Sequence, residues 1–432
     1  MAETEENVCY AVSNPRAALA WTTLAFFAGF SGVSAFGPIV PKLKQAMDVG
    51  PFLMGILAAS PALTGSLLRI PFGALVDRMG GKKPILILLM LAALGVAGIT
   101  AMFSIVGTPR ASHYPFFLLF GILCGCGIAV FSVGVPAVSY WYPQRKQGTA
   151  LAVYGGLGNL APGMFALLLP FLVVKLGFTG SYVLWLAALL AMTGLVFARM
   201  RDAPYFQYKE MGMDIDPDAL LLACGEELVP SGKAMDSIRK AGADWRTWVL
   251  TFLYFISFGG FIALTVWYPT FWTDSFKISL VHAGLLTAAF SLSTSILRVF
   301  GGIASDRLGG LLVAQLSFGV IAAGALVIFA GGGSMAAAFI GQMLLALGMG
   351  VANAAVFKLV PRFTPKAVGG AAGIIGGLGA FGGFALPPIL GLFVRWQGEA
   401  GYSQGFAVFL GLSLAGLAFL VILKKYTETK MP

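Results

Sequence analysis

The chain has 432 residues, of which 58% are hydrophobic and only 11% charged, with a net charge of +10. Soluble domains carry about 25% charged residues, and apolar runs long enough to cross a bilayer recur along the whole chain. These numbers exclude a soluble enzyme and define a polytopic, all-α membrane protein.

The opening segment "MAETEENVCYAVSNPR" is acidic and polar, unlike a cleaved secretory signal. The first span is therefore expected to act as the insertion signal. Twelve spans are predicted, near 17–40, 51–76, 84–105, 116–140, 148–174, 180–199, 247–270, 281–304, 311–330, 335–357, 367–394 and 403–424. With the N-terminus inside, 20 Lys and Arg fall on the inner side, six on the outer side, and two, Arg69 and Arg298, within spans. That bias predicts cytoplasmic termini and a multi-pass protein of the cell membrane, the inner membrane of a prokaryote. It also accounts for the positive charge without any nucleic acid. Cys9 and Cys224 lie in predicted cytoplasmic segments, and Cys124 and Cys126 read as buried small side chains of the fourth span. No metal or cofactor is expected.

The longest polar stretch, 201–246, separates six spans from six and suggests short surface helices. The expected domains are an N-terminal six-helix bundle (1–200), a cytoplasmic linker (201–246) and a C-terminal six-helix bundle (247–432). The halves repeat. "LRIPFGALVDRMGG" (68–81) and "LRVFGGIASDRLGG" (297–310) share seven of fourteen positions, and each places an arginine eight residues before "DR". "GTALAVYGGLGNLAPG" (148–163) matches "GGAAGIIGGLGAFGGF" (369–384). A repeat of six spans with a long central connection is a transporter architecture, with its site between the halves near midplane.

Arg69 and Arg298 are the strongest chemical signal. Eight residues of helix span about 12 Å, which sets each arginine near the middle of a hydrocarbon core roughly 30 Å thick. A charge there costs about 2.5–3.5 kcal/mol on insertion scales. All 18 acidic residues fall in predicted loops, tails or span ends, so neither arginine has a carboxylate partner at that depth. The counter-ion is then the substrate. A guanidinium is a planar fork of donors suited to a planar oxyanion.

"GALVDRMGGKK" and "GIASDRLGG" resemble the loop signatures of the major facilitator superfamily. "GGLGNLAPG", "GIIGGLGAFGGF", "FLYFISFGGF" (252–261) and the paired arginines resemble the nitrate/nitrite porter family within it. After Asn159 the family pattern is broken by "LAPG", and Pro162 is expected to bend the helix there. The resemblance implies a major facilitator fold and transport of nitrate and nitrite. It also implies a substrate pocket in which Arg69, Arg298, Asn159 and Tyr254 contact the anion and Phe131 and Phe258 wall it in.

The glycines Gly155, Gly156, Gly158, Gly376, Gly377 and Gly379 read as helix-packing positions along which the halves rock. Asp77, Arg78, Asp306 and Arg307, at the cytoplasmic span ends, read as a gate latch. No Asp, Glu or His lies within a span, since His113 and His282 fall at the outer side. This favours nitrate/nitrite exchange over a proton relay. Proton–nitrate symport, and transport of another small anion such as an organic acid or phosphate, stay open as alternatives. A channel is disfavoured by the repeats, and an enzyme by the lack of an acid–base cluster. The partners expected are the small anion and the bilayer, with the chain acting as a monomer.

Overall fold

The computed structural model describes residues 14–213, 234–331, 333–364 and 367–430. Cys9 and Cys224 lie outside them. Among the described residues, 11 helical segments are long and apolar enough to cross a membrane. One of them, Lys146–Arg199, has 54 residues. A straight helix of that length would run about 81 Å, far more than a bilayer core of about 30 Å. It turns back at Gly177, where φ is 69° and ψ −178°. That conformation is open to glycine and strained for any other residue. The break makes two spans of one segment, so the chain crosses twelve times.

We label the spans α1 (Pro15–Met47), α2 (Pro51–Met79), α3 (Lys82–Val106), α4 (Ala111–Trp141), α5 (146–176), α6 (178–199), α7 (Trp245–Phe276), α8 (Leu280–Leu308), α9 (Gly310–Ala330), α10 (Met335–Phe363), α11 (Val368–Gln404) and α12 (Ala407–Glu428). Between α6 and α7 lie two short helices, Pro204–Glu210 and Ala234–Gly242. The end of the molecule that carries this connection is called the linker end below.

α1 to α6 form one bundle and α7 to α12 the other. The halves meet through α2 against α11, α5 against α8, and α1 against α7. Small residues set the approach. A Cβ on Gly55 of α2 would lie 2.7 Å from the Pro387 carbonyl oxygen of α11, and one on Gly284 of α8 would lie 2.5 Å from that of Ala166 in α5. The sequence repeat maps α2 onto α8 and α5 onto α11, so these two helix pairs are images of each other.

Most spans at the interface are irregular near mid-length. α1 tightens to 3₁₀ turns at Ser31–Ser34 and Gly37–Ile39, and α4 does so at Gly125–Ala129. α2 pauses at Leu68, directly before Arg69. α5 pauses between Gly158 and Ala161, where Pro162 has no N–H to offer the Gly158 carbonyl. α7 widens to a π turn over Phe255–Gly259, a form that recurs at functional sites.

Candidate functional site

Arg69 is fully buried. Its Nε donates to the Gly65 carbonyl at 3.1 Å, one turn back on α2. Its Nη1 donates to the Gly376 carbonyl of α11 at 2.9 Å, a bond between the two halves. Its Nη2 is buried with no acceptor among the described residues. Arg298, on α8, is half-buried, and its Nη1 is likewise without an acceptor.

Two rings hold both cations. The Arg69 guanidinium carbon lies 5.0 Å from the centroids of both Phe131 and Phe258. That of Arg298 lies 5.8 and 5.7 Å from the same two rings. The rings belong to opposite halves, are buried, and stack with centroids 6.2 Å apart. Cation–π contacts of this kind contribute about 0.5–2 kcal/mol each, which offsets only part of the cost of two like charges away from water.

Neighbouring groups fix the rings. Tyr254 stacks on Phe258 at 4.9 Å and 8°, and Phe30 of α1 lies parallel to it at 6.2 Å. Tyr154 donates to the Val130 and Phe131 carbonyls at 2.9 and 3.0 Å, which holds α4 at the point where Phe131 projects. The Tyr254 hydroxyl and the Asn159 Oδ1 are both buried and without a partner among the described residues. The Asn159 backbone carbonyl accepts from Ser295 Oγ of α8 at 2.8 Å, one turn from Arg298.

Thus Arg69, Arg298, Phe131, Phe258 and Tyr254, singled out in the sequence, meet at one central locus, and Asn159 is tied by its carbonyl to Ser295, one turn from Arg298. No ion pair among the described residues involves either arginine. Among the described residues three donors here lack an acceptor: two guanidinium nitrogens and the Tyr254 phenol.

A cavity of about 480 Å³ leads from this locus to the linker end. Arg69, Phe131, Phe357 and Gly376 line its inner part, and Asp77, Tyr140 and Ser237 its rim. The opposite end is closed. There Lys44 of α1 pairs with Asp274 of α7 at 2.8 Å, and the same carboxylate accepts from the Tyr402 hydroxyl. Lys44–Asp274 joins the two halves. At the linker end Asp77 accepts from Tyr140 at 2.7 Å, and Asp306 pairs with Lys358. Both contacts stay within one half, and Arg78 and Arg307 are exposed.

The six glycines differ in what they do. A Cβ on Gly158 would overlap the Phe26 ring, one on Gly379 would lie 2.8 Å from Tyr254, and one on Gly377 3.0 Å from Ile70. At Gly155, Gly156 and Gly376 nothing lies nearer than 3.6 Å. Close helix approach is therefore not what those three positions require in this state. Gly376 contributes its carbonyl instead.

The Lys44–Asp274–Tyr402 bridge, Tyr154 and Phe30 were not singled out in the sequence. Opposite charges at the same end of two spans are a readable signal for the bridge. A tyrosine and a phenylalanine among 12 and 35 of their kind carry none.

Twelve spans in two related bundles around a central, solvent-reached site define a membrane transporter. Residues 22–212 and 250–432 match the family model described as Major Facilitator Superfamily. The chain is 29% identical over 427 residues to "Probable nitrate/nitrite antiporter NarK1" of Thermus thermophilus, covering 92% of this chain and 89% of that one. It is 31% identical over 362 residues to "Probable nitrate/nitrite transporter NarK2" of Mycobacterium tuberculosis, covering 82% and 83%. The xylose transporter XylE from E. coli, in a partially occluded inward open conformation, shares the fold with a TM-score of 0.73 over 97% of this chain and 98% of that one, at 13% identity. The chain belongs to the nitrate/nitrite porter family of the major facilitator superfamily.

Proposed function

We propose that this protein exchanges nitrate for nitrite across the cytoplasmic membrane by alternating access. The observation that carries the reading is the pair of guanidinium groups from opposite halves. Both rest on one ring pair, both keep an N–H without an acceptor, and neither has a carboxylate among the described residues. Nitrate and nitrite are planar, singly charged and rich in acceptors, and each guanidinium keeps an unpaired nitrogen to offer to one oxygen of such an anion. Tyr254 and Asn159 complete the shell, and the Phe131–Phe258 pair excludes water and fixes the plane.

The linker end is taken as cytoplasmic, following the Lys and Arg bias, so the state described is inward-facing. The empty site holds two like charges and resists closing. A bound anion neutralises part of that charge and lowers the cost of occlusion, which ties rocking to occupancy. The Asp77–Arg78 and Asp306–Arg307 pairs act as the inner latch only after the halves swing together. In the inward-facing state their carboxylates are held by Tyr140 and Lys358 instead.

The test is uptake of labelled nitrate into proteoliposomes whose lumen holds nitrite, holds no anion, or faces an imposed pH gradient. Exchange predicts uptake only with internal nitrite. Uptake driven by external acid into nitrite-free vesicles would replace exchange with proton symport. Preferred turnover of lactate or phosphate would overturn the substrate class.

A further inference from the structure

Asn353 lies on α10 in an otherwise apolar stretch, "GMGVANAAVF" (348–357). It is 2% exposed, and its Oδ1 is buried without a partner among the described residues. A buried amide oxygen left unpaired costs free energy and calls for an explanation.

Its placement follows from helix register. Phe357, one turn further along α10, lines the central cavity and packs edge-on to Tyr254 of α7 at 4.7 Å. α7 and α10 run in opposite directions, so one turn back on α10 faces one turn forward on α7. That pairs the level of Asn353 with Phe258, the ring that both arginines touch. Asn353 and Phe357 stand at i and i+4 and share a face. Gly350, at i−3, lies on the same face where α10 crosses α8. A Cβ there would meet the Thr294 carbonyl at 2.5 Å and the Leu297 Cβ at 3.0 Å. Leu297 directly precedes Arg298.

The internal repeat points to the same level of α10. In the first half, α4 crosses α2 with Ile128 against Gly65 and Ser132 against Gly73. In the second half, Gly350 lies against Thr294, the residue 229 positions beyond Gly65. That sets Ile128 opposite Gly350 and Phe131 level with Asn353, while the Gly95–Cys124 and Gly324–Leu345 contacts set Phe131 level with Ala352, one residue away. Phe131 is the residue on which both guanidinium groups rest.

We propose that Asn353 is an anion-binding residue that discriminates nitrate from nitrite. This rests on the function proposed above. The unpaired nitrogen of each guanidinium reaches one oxygen of a planar anion. Nitrite has only two oxygens and is saturated by them. Nitrate has a third oxygen in the same plane, and the Asn353 amide N–H donates to it. The Asn353 carbonyl is then left to accept a guanidinium proton.

The experiment measures KM for nitrate and for nitrite in proteoliposomes containing the full chain, as wild type, Asn353→Leu and Asn353→Asp. The leucine variant is expected to raise KM for nitrate about tenfold, the loss for one hydrogen bond to a charged group, while KM for nitrite stays near wild type. The aspartate variant keeps size and shape but places a carboxylate beside the cations, and is expected to abolish binding of both anions. Wild-type-like KM for nitrate in the leucine variant, or an equal loss for both anions, would sink the proposal. Should leucine not insert, an aspartate variant that still binds both anions normally would sink it too. A wild-type protein that moves neither anion would overturn the function itself, a separate outcome.

Discussion

Each guanidinium at the centre keeps an N–H that no described atom accepts, and the Tyr254 hydroxyl beside them is also idle. Groups held in this way cost stability when the site is empty and gain a partner when it is filled. Tyr254→Phe is therefore expected to hold or slightly raise the melting temperature of the empty protein while weakening nitrate binding several-fold, about what one hydrogen bond contributes. Thermal denaturation with and without nitrate reads both. A lower melting temperature with unchanged affinity would mean that the hydroxyl is structural. Arg69→Lys and Arg298→Lys keep the charge but lose the fork, and each is expected to cut transport by at least about tenfold. Retained transport in both would remove the clamp. At this scale the arginines were legible because a charge in an apolar run has few explanations. Asn353 was equally polar and equally isolated, yet the glycine repeat draws attention to Asn159 and Ala380 instead. The rings were legible only through resemblance, since which of 35 phenylalanines points inward depends on how far each helix has rotated at its break.

Spans and their number follow from hydropathy, and the turn at Gly177 from the length a bilayer allows. The mid-span breaks were harder to foresee. Pro162 announces the pause in α5, but the π turn over Phe255–Gly259 and the 3₁₀ turn over Gly125–Ala129 have no comparable marker. They are set by what the helices pack against. The glycines show the same limit: six looked alike in sequence and separate into two groups in space. Gly158→Ala should force the Phe26 ring aside, and with it Phe131, whose centroid is 5.2 Å from it. Overpacking of this kind costs about 1–3 kcal/mol, so a lower melting temperature and impaired transport are expected. Gly155→Ala has 4.0 Å of room and should resemble wild type. Equal effects of the two would show that chain flexibility, not space, sets their role.

Across the whole molecule, closure rests on unequal ends. One end is bridged between halves by Lys44–Asp274 and the other holds a cavity of about 480 Å³. Asp274→Asn is expected to loosen the bridged end and speed thiol labelling of a cysteine placed at Thr270, which lines the small crevice beside Lys44, above the background from the native cysteines. Labelling that does not change would mean that packing alone holds that end shut. The bond from Arg69 to the Gly376 carbonyl has a further consequence. Its repeat-related image would join Arg298 to Gly155, and that contact is absent among the described bonds. An anion that recruits the Arg69 Nη1 takes it from Gly376 and removes one bond between the halves. Occupancy and conformation are then linked reciprocally: whatever free energy the anion spends to release that tether is subtracted from its apparent affinity, and any condition that releases the tether beforehand returns it as tighter binding.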